Sequence, residues 1–331
     1  MNKYLIFRTD RIGDFIFSRI LIQAIKNKNP KNLIDIVSSK YNHNYIKKYK
    51  DIRYIYPFDK YDPFLLFKNF QKINSENYDY MIILDGKRRS LFYSVFLKSK
   101  YKLAVLKDFR PRFFLKMFVD KYFINTELTN QFDNFLTICN YLNLNISNQI
   151  DYFKSHVIKK DRYEKLTKGS VLIHLDEKWF EGLYHHDYQY MNLNYKNFDN
   201  LIKKVFKKFK RNIVITTGTN KIKTLDKIIN LHFEKNNRNI FFSKKYQKRL
   251  VFIKKTSFFE LESLAKNCAL IICCEGALSH VSHALKINTI ALVNKQNIKT
   301  ALYWTSHMDK IKLIYRDNLD NVCKQIGNVQ L

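Results

Sequence analysis

The stretch Arg8-Thr9-Asp10-Arg11-Ile12-Gly13-Asp14 packs four charges and a glycine between an apolar run, Tyr4 to Phe7, and a helix-period segment, Phe15 to Lys26. A charged turn at the carboxyl end of a first strand is where open α/β sheets hold their ligands. Gly13 lets the backbone turn sharply at little steric cost. Asp14 at the helix start has two readings: a carboxylate that caps free amides and suits the helix dipole, or one left free for proton transfer. Arg8 and Arg11 are either anion contacts or ordinary solvated arginines at a strand end. Elsewhere, His280 and His283 stand three apart beside Cys273 and Cys274, a spacing that raises zinc. The two cysteines fall on an apolar strand candidate, so packing is the expected role and no metal is expected.

The elements that must position these groups alternate as a βα sequence does. In the first half, strands are predicted at Tyr4 to Phe7, Leu33 to Val37, Ile52 to Tyr56, Tyr80 to Leu84 and Tyr101 to Val105. Helices are predicted at Phe15 to Lys26, near Tyr41 to Lys48, at Ser90 to Leu97 and at Phe132 to Leu142. A polar stretch from Asn143 to Lys168 reads as a linker. The pattern then restarts, with strands at Ser170 to His174, Asn212 to Thr216, Ala269 to Cys273 and Thr289 to Val293. Helices fall at Tyr195 to Lys208, Ser257 to Lys266 and Leu278 to Leu285, and Ser257 with Glu260 forms a capping box. Two α/β domains follow, at 1–155 and 165–331.

Composition narrows the class. A chain of 331 residues, 46% hydrophobic, has apolar material for two cores. No apolar run approaches the roughly 18 residues that span a bilayer, and Arg8, Asp10 and Arg11 come too early for a signal-peptide core. These features lead to the expectation of an intracellular protein, cytoplasmic and either soluble or at a membrane surface. Five scattered cysteines without a CxxC pair read as buried thiols. Lys and Arg total 59 against 29 for Asp and Glu, a net charge of +30. Such a balance suits an anionic partner, and a chain rich in Lys, Asn, Ile and Tyr also fits compositional bias. Basic runs at Lys203 to Arg211 and Lys244 to Arg249 come without any RNA- or DNA-binding motif.

Four blocks, in order, resemble the bacterial heptosyltransferases that build lipopolysaccharide cores, glycosyltransferase family nine. They are Arg8 to Asp14 with Phe15 to Ser18; Tyr78 to Gly86 with Arg88-Arg89-Ser90; Ile173 to Trp179; and Glu275-Gly276-Ala277-Leu278-Ser279-His280 with Val281 to Leu285. Together they span nearly the whole chain. The chain departs from the family at Glu275, where the family carries Asp, at Ala277, where its glycine falls, and at Thr219-Asn220-Lys221, where it often carries a Glu.

The resemblance implies a GT-B α/β fold, two Rossmann-like domains facing a central cleft, the first binding the acceptor and the second the nucleotide sugar. It implies an inverting glycosyltransferase that needs no metal or other cofactor and moves a heptose-like sugar from a nucleotide-diphosphate donor to a glycolipid or glycan acceptor. Asp14 then is the general base, and Arg8, Arg11, Gly13, Arg88 and Ser90, with Asp85 and Arg89, shape the acceptor side. Lys178, Glu275, Gly276, Ala277, Leu278, Ser279, His280, Thr217 and Gly218 hold the donor. Lys178 supplies charge to the leaving diphosphate, and the Gly276 to Ser279 turn supplies amides and the favourable dipole end. His283 falls where the family has alanine and reads as packing. The expected partners are the donor, the acceptor and an anionic membrane surface, with no nucleic acid. Two alternatives stand beside this: a basic nucleic-acid-binding protein, and a GT-B epimerase or hydrolase of nucleotide sugars.

Overall fold

A computed structural model describes residues 1–59, 61–106, 117–124, 130–146, 163–180, 191, 193–218 and 220–331. The chain divides into two compact units, Met1–Val157 and Ile158–Leu331. Most of the expected linker lies outside the described residues, as does Thr219.

The first unit runs β1 (Lys3–Arg8), α1 (Ile12–Lys28), β2 (Leu33–Ser38), α2 (His43–Ile46), β3 (Ile55–Pro57), α3 (Pro63–Ser75), β4 (Tyr78–Ile83), α4 (Arg88–Val95), β5 (Ser99–Leu106), β6 (Lys121–Ile124) and α5 (Gln131–Tyr141). Its strands form one parallel sheet in the order β3-β2-β1-β4-β5-β6. Leu5, Ile6 and Phe7 are all buried because helices cover both faces of a parallel sheet. The segment expected as a helix near Tyr41 to Lys48 is a single turn, and the strand expected from Ile52 begins at Ile55. α3 was not anticipated, although Asp62 caps it by accepting from the Leu65 N–H at 2.9 Å and Pro63 sits at its first position. α1 is buried on nearly every side, with Phe17 edge-on to Phe135 of α5 and Phe15 edge-on to Tyr45 and Tyr49.

The second unit runs α6 (Glu164–Thr167), β7 (Val171–His174), a 3₁₀ turn (Glu177–Trp179), α7 (Tyr195–Phe209), β8 (Ile213–Thr216), α8 (Lys223–His232), β9 (Phe233–Lys235), β10 (Ile240–Ser243), β11 (Gln247–Ile253), α9 (Phe258–Lys266), β12 (Leu270–Cys274), α10 (Ala277–Ala284), β13 (Asn288–Val293), α11 (Ile298–Thr305), β14 (Ile311–Tyr315) and α12 (Leu319–Asn328). The sheet order is β14-β13-β12-β7-β8-β11-β10-β9. Six parallel strands repeat the topology of the first unit, and β10 and β9 extend one edge antiparallel. The Ser257–Glu260 capping box is formed, with the Glu260 carboxylate 2.9 Å from the Ser257 nitrogen. All five cysteines are buried free thiols.

Candidate active site

In the first unit the strand order reverses between β1 and β4, and the loops leaving those two strands carry the expected acceptor-side residues. Arg11 is an extended N-cap, so α1 starts at Ile12, one turn ahead of the expected Phe15. Asp14 therefore stands at the third helical position and not at the cap, and its Oδ2 accepts the Arg11 N–H at 3.1 Å. An arginine side chain has no acceptor to return, so only this half of a capping box exists. Gly13 is the second helical residue and is not among the glycines with positive φ. The sharp turn expected there falls instead at Thr9 to Arg11, before the helix.

Arg8 is buried and serves the loop itself. Its Nε donates to the Asp14 carbonyl at 2.9 Å, its Nη1 donates to the Leu84 carbonyl at 3.1 Å, and it pairs with Asp10 at 3.4 Å. Asp85, fully buried, gathers the Thr9 hydroxyl at 2.5 Å, the Ser90 hydroxyl at 2.6 Å and the Lys87 N–H at 3.2 Å. Lys87 Nζ closes the link by donating to the Thr9 carbonyl at 2.7 Å. The two loops are thus one hydrogen-bonded block that fixes where α1 begins.

That block floors a pocket of about 430 Å³. Asp10, Asp14, Arg11, Lys87 and Arg89 line it together with Phe58, Tyr41 and Tyr61. Of the residues expected on the acceptor side, Arg11 and Arg89 reach the pocket with Asp14, and Asp85 lies beneath it holding the two loops. Arg8, Gly13, Arg88 and Ser90 do not line it; Arg88 is exposed at the start of α4 and Ser90 is committed to Asp85. Burial, opposed by Arg8, pushes the Asp10 carboxyl up to about 6, with Asp14 and Asp85 adding to the rise.

In the second unit the order reverses between β7 and β12. After β7, Asp176 caps the 3₁₀ turn by accepting from the Lys178 N–H at 3.2 Å. The fully buried Trp179 anchors that turn, and its carbonyl accepts from Arg316 at 3.1 Å. Lys178 then reaches past the end of β12, where its Nζ donates to the Glu275 carbonyl at 2.7 Å. Gly276, the N-cap of α10, has φ 155° and ψ −152°, and a Cβ there would stand 2.7 Å from Lys178 Nζ. Glycine is required at 276 both by the backbone and by the lysine lying across it.

Ser279 closes the first turn by donating its N–H to the Gly276 carbonyl at 3.0 Å, and Ser279 and His280 are buried. His280 lies edge-on to Trp304, and His283 edge-on to His307. Thr217 accepts from Thr256 Oγ1 through its carbonyl at 2.7 Å and from the Lys255 N–H through its hydroxyl at 3.1 Å; the space beside Gly218 is open. Burial, with Lys178 adding, lowers His174 to about 4, and its Nδ1 is 2.9 Å from the Thr216 hydroxyl. Burial raises Asp176 to about 6 against the pull of Lys178. The outcome is an ammonium beside the amino end of a helix, where first-turn amides lack helical acceptors. Such a place suits a diphosphate.

Comparison with solved structures identifies the architecture. E. coli heptosyltransferase WaaC with ADP superposes with a TM-score of 0.71 at 12% identity, over 98% of each chain. A glycosyl transferase family 9 protein from Veillonella parvula reaches 0.66 at 13%, over 99% of this chain and 92% of that one. E. coli ADP-heptose LPS heptosyltransferase II reaches 0.64 at 11%, over 99% and 98%. The fold is GT-B. UDP-N-acetylglucosamine 2-epimerases are also similar, the putative one from Listeria monocytogenes with a TM-score of 0.59 at 12% identity, over 98% and 86%. No protein-family model matches the sequence, and no curated protein matches it.

Sequence reasoning passed over Asp10, Lys87 and the aromatic pocket wall. Asp10 was visible as a second carboxylate four residues before Asp14. Nothing local signalled Tyr41 or Tyr61, which reach the pocket only through the fold.

Proposed function

We propose that the chain is a glycosyltransferase that moves a sugar, heptose-like in class, from a nucleotide-diphosphate sugar to a lipopolysaccharide or other cell-surface glycan acceptor. The first unit binds the acceptor and the second the donor. The observation that carries the reading is Lys178 seated on the Glu275 carbonyl across Gly276, at the amino end of α10. A departing diphosphate gathers negative charge, and this site offers an ammonium and oriented amides to receive it. Asp14, in the pocket of the first unit, takes the proton of the acceptor hydroxyl. The hydroxyl oxygen bonds to the anomeric carbon from the face opposite the diphosphate, whose C–O bond breaks with its electron pair, so configuration inverts. No metal enters this scheme. The expected place of work is the cytoplasmic face of the membrane that carries the acceptor.

Asp14→Asn tests the base. Asparagine keeps the shape and still accepts the Arg11 N–H, but it cannot hold the proton. Transfer should fall by about 100-fold or more, while ADP still raises the melting temperature. An Asp14→Asn enzyme that turns over normally would move the base elsewhere. Conversion of a nucleotide sugar to its epimer without acceptor would favour the epimerase reading instead.

A further inference from the structure

Two adjoining helices of the first unit turn aromatic rings to solvent. On α3, Phe64 is 86% and Phe67 63% exposed; on α4, Phe92 is 51% and Phe96 54% exposed. The helices are packed together, with Phe70 edge-on to Tyr93 at 5.5 Å between centroids. Asn74 donates to the Phe96 carbonyl at 3.1 Å and accepts the Lys98 N–H at 2.8 Å. Phe92 lies edge-on to both Tyr93 and Phe96. Residues three apart on a helix are surface neighbours, so Phe64, Phe67 and Phe70 lead into Tyr93, Phe92 and Phe96 as one strip. Single exposed apolar residues are ordinary, but a contiguous patch marks an interaction surface.

The charge on the two helices has one sign, with Asp62 and Glu76 standing at the caps of α3. Residues 63–75 and 87–98 contain Lys68, Lys72, Lys87, Arg88, Arg89 and Lys98 and no Asp or Glu. Lys68, Lys72, Arg88 and Lys98 are exposed. The strip is also continuous with the pocket, because Tyr61, just ahead of α3 and 75% exposed, lines it, as do Lys87 and Arg89 at the start of α4.

We propose that this face docks on an anionic phospholipid surface, the phenylalanines entering the headgroup–acyl boundary while the cations meet lipid phosphates. Apolar insertion and electrostatic attraction are the two signals that together hold a peripheral protein. A second copy of the chain is disfavoured: a two-fold contact sets the same cations against themselves, in a chain already at +30. The inference rests on the proposed reaction in one respect, that a lipid-anchored acceptor then meets the pocket at the membrane surface.

The test is flotation of the full chain with vesicles of phosphatidylethanolamine plus phosphatidylglycerol, and with neutral phosphatidylcholine vesicles. Wild type should float with the anionic vesicles and release as salt rises. Phe64→Ser/Phe67→Ser and Phe92→Ser/Phe96→Ser should each cut partitioning by at least about tenfold, with the thermal shift on ADP unchanged. Absence of flotation at low salt, or flotation of both double variants equal to that of wild type, overturns the proposal. So does concentration-dependent self-association of wild type that both variants abolish without vesicle binding, which assigns the face to a second copy. Single-stranded DNA captured in place of vesicles overturns it as well. Flotation that persists in a protein without transferase activity would fault the proposed reaction and leave the docking surface standing.

Discussion

Gly276→Ala is the change whose consequence the structure defines most closely. The residue holds φ 155° and ψ −152°, in a region essentially reserved for glycine, where a side chain costs about 1–3 kcal/mol. The new Cβ would lie 2.7 Å from Lys178 Nζ. The lysine is the flexible partner, so it swings away and gives up its 2.7 Å bond to the Glu275 carbonyl. A hydrogen bond from a charged group is worth about 1.5–3 kcal/mol when buried, and less here because water reaches Lys178. The sum is a loss of about 2–4 kcal/mol, or a melting temperature lower by about 5–15 °C. ADP should also cease to stabilise the variant, since the displaced ammonium is the one assigned to the diphosphate. Gly327→Ala is the matched control: nothing lies within 4 Å of its Cβ and it sits in α12, so stability should hold or rise slightly. Thermal unfolding with and without ADP reads both variants. A Gly276→Ala protein that melts like wild type refutes the geometry; one that melts early but responds fully to ADP refutes the donor role.

Further expectations follow from the same contacts. Lys178→Ala, which leaves the Gly276 backbone relaxed, should slow transfer or weaken ADP binding by roughly 10- to 1000-fold with a smaller effect on melting; unchanged kinetics would remove Lys178 from the site. Asp85→Ala strands two hydroxyls and an amide in a buried place and should cost about 2–4 kcal/mol in urea unfolding, whereas an unchanged midpoint would mean the two loops hold their shape unaided. His174, lowered to about 4 from 6.5, stays neutral in the fold while the unfolded chain protonates, so its contribution is present above pH 6.5 and lost as pH falls towards 4. Wild type should therefore lose up to about 3 kcal/mol relative to His174→Gln between pH 7 and pH 4, and parallel stability curves would contradict it. Asp176, raised to about 6, works in the opposite sense in both proteins and cancels from that difference.

Much of the parallel framework was legible because buried strands are short apolar runs separated by helix-period segments. β1, β2, β7, β8 and β13 fall within a residue or two of their predicted limits. The misses have physical causes. The basic run Lys244 to Arg249 reads as charge alone, yet it forms the turn into β11 and that strand's three exposed first residues, burial beginning only at Leu250. β14 buries one residue in five, so its pattern carries no apolar run to recognise. The helix start at Ile12 escaped because its cap is an arginine, which carries none of the usual capping chemistry. At the candidate site the turn residues 276 to 279 and Lys178 were named from the sequence, but the contact joining them is not local. It exists because β7 and β12 are neighbours although Val171 and Leu270, the first partners in their register, stand 99 positions apart in the chain.

The repeated topology is what gives the two sets of residues their meaning. Each unit reverses its strand order once, between β1 and β4 and between β7 and β12, and at each reversal two loops diverge and leave room for a ligand. The fold alone does not choose the chemistry, since epimerases share it. The side chains do. At the first reversal the pocket holds the carboxylates of Asp10, Asp14 and Asp59, with Asp10 braced by Arg8 and Lys87, an arrangement suited to hydroxyl groups and to removing a proton. At the second, an ammonium lies across a glycine at a helix start, an arrangement suited to accepting charge on phosphate. Proton removal from one substrate and charge acceptance from the other are the two demands of a displacement at an anomeric carbon. Under the proposed reaction the side chains of the first unit answer the one demand and those of the second unit the other.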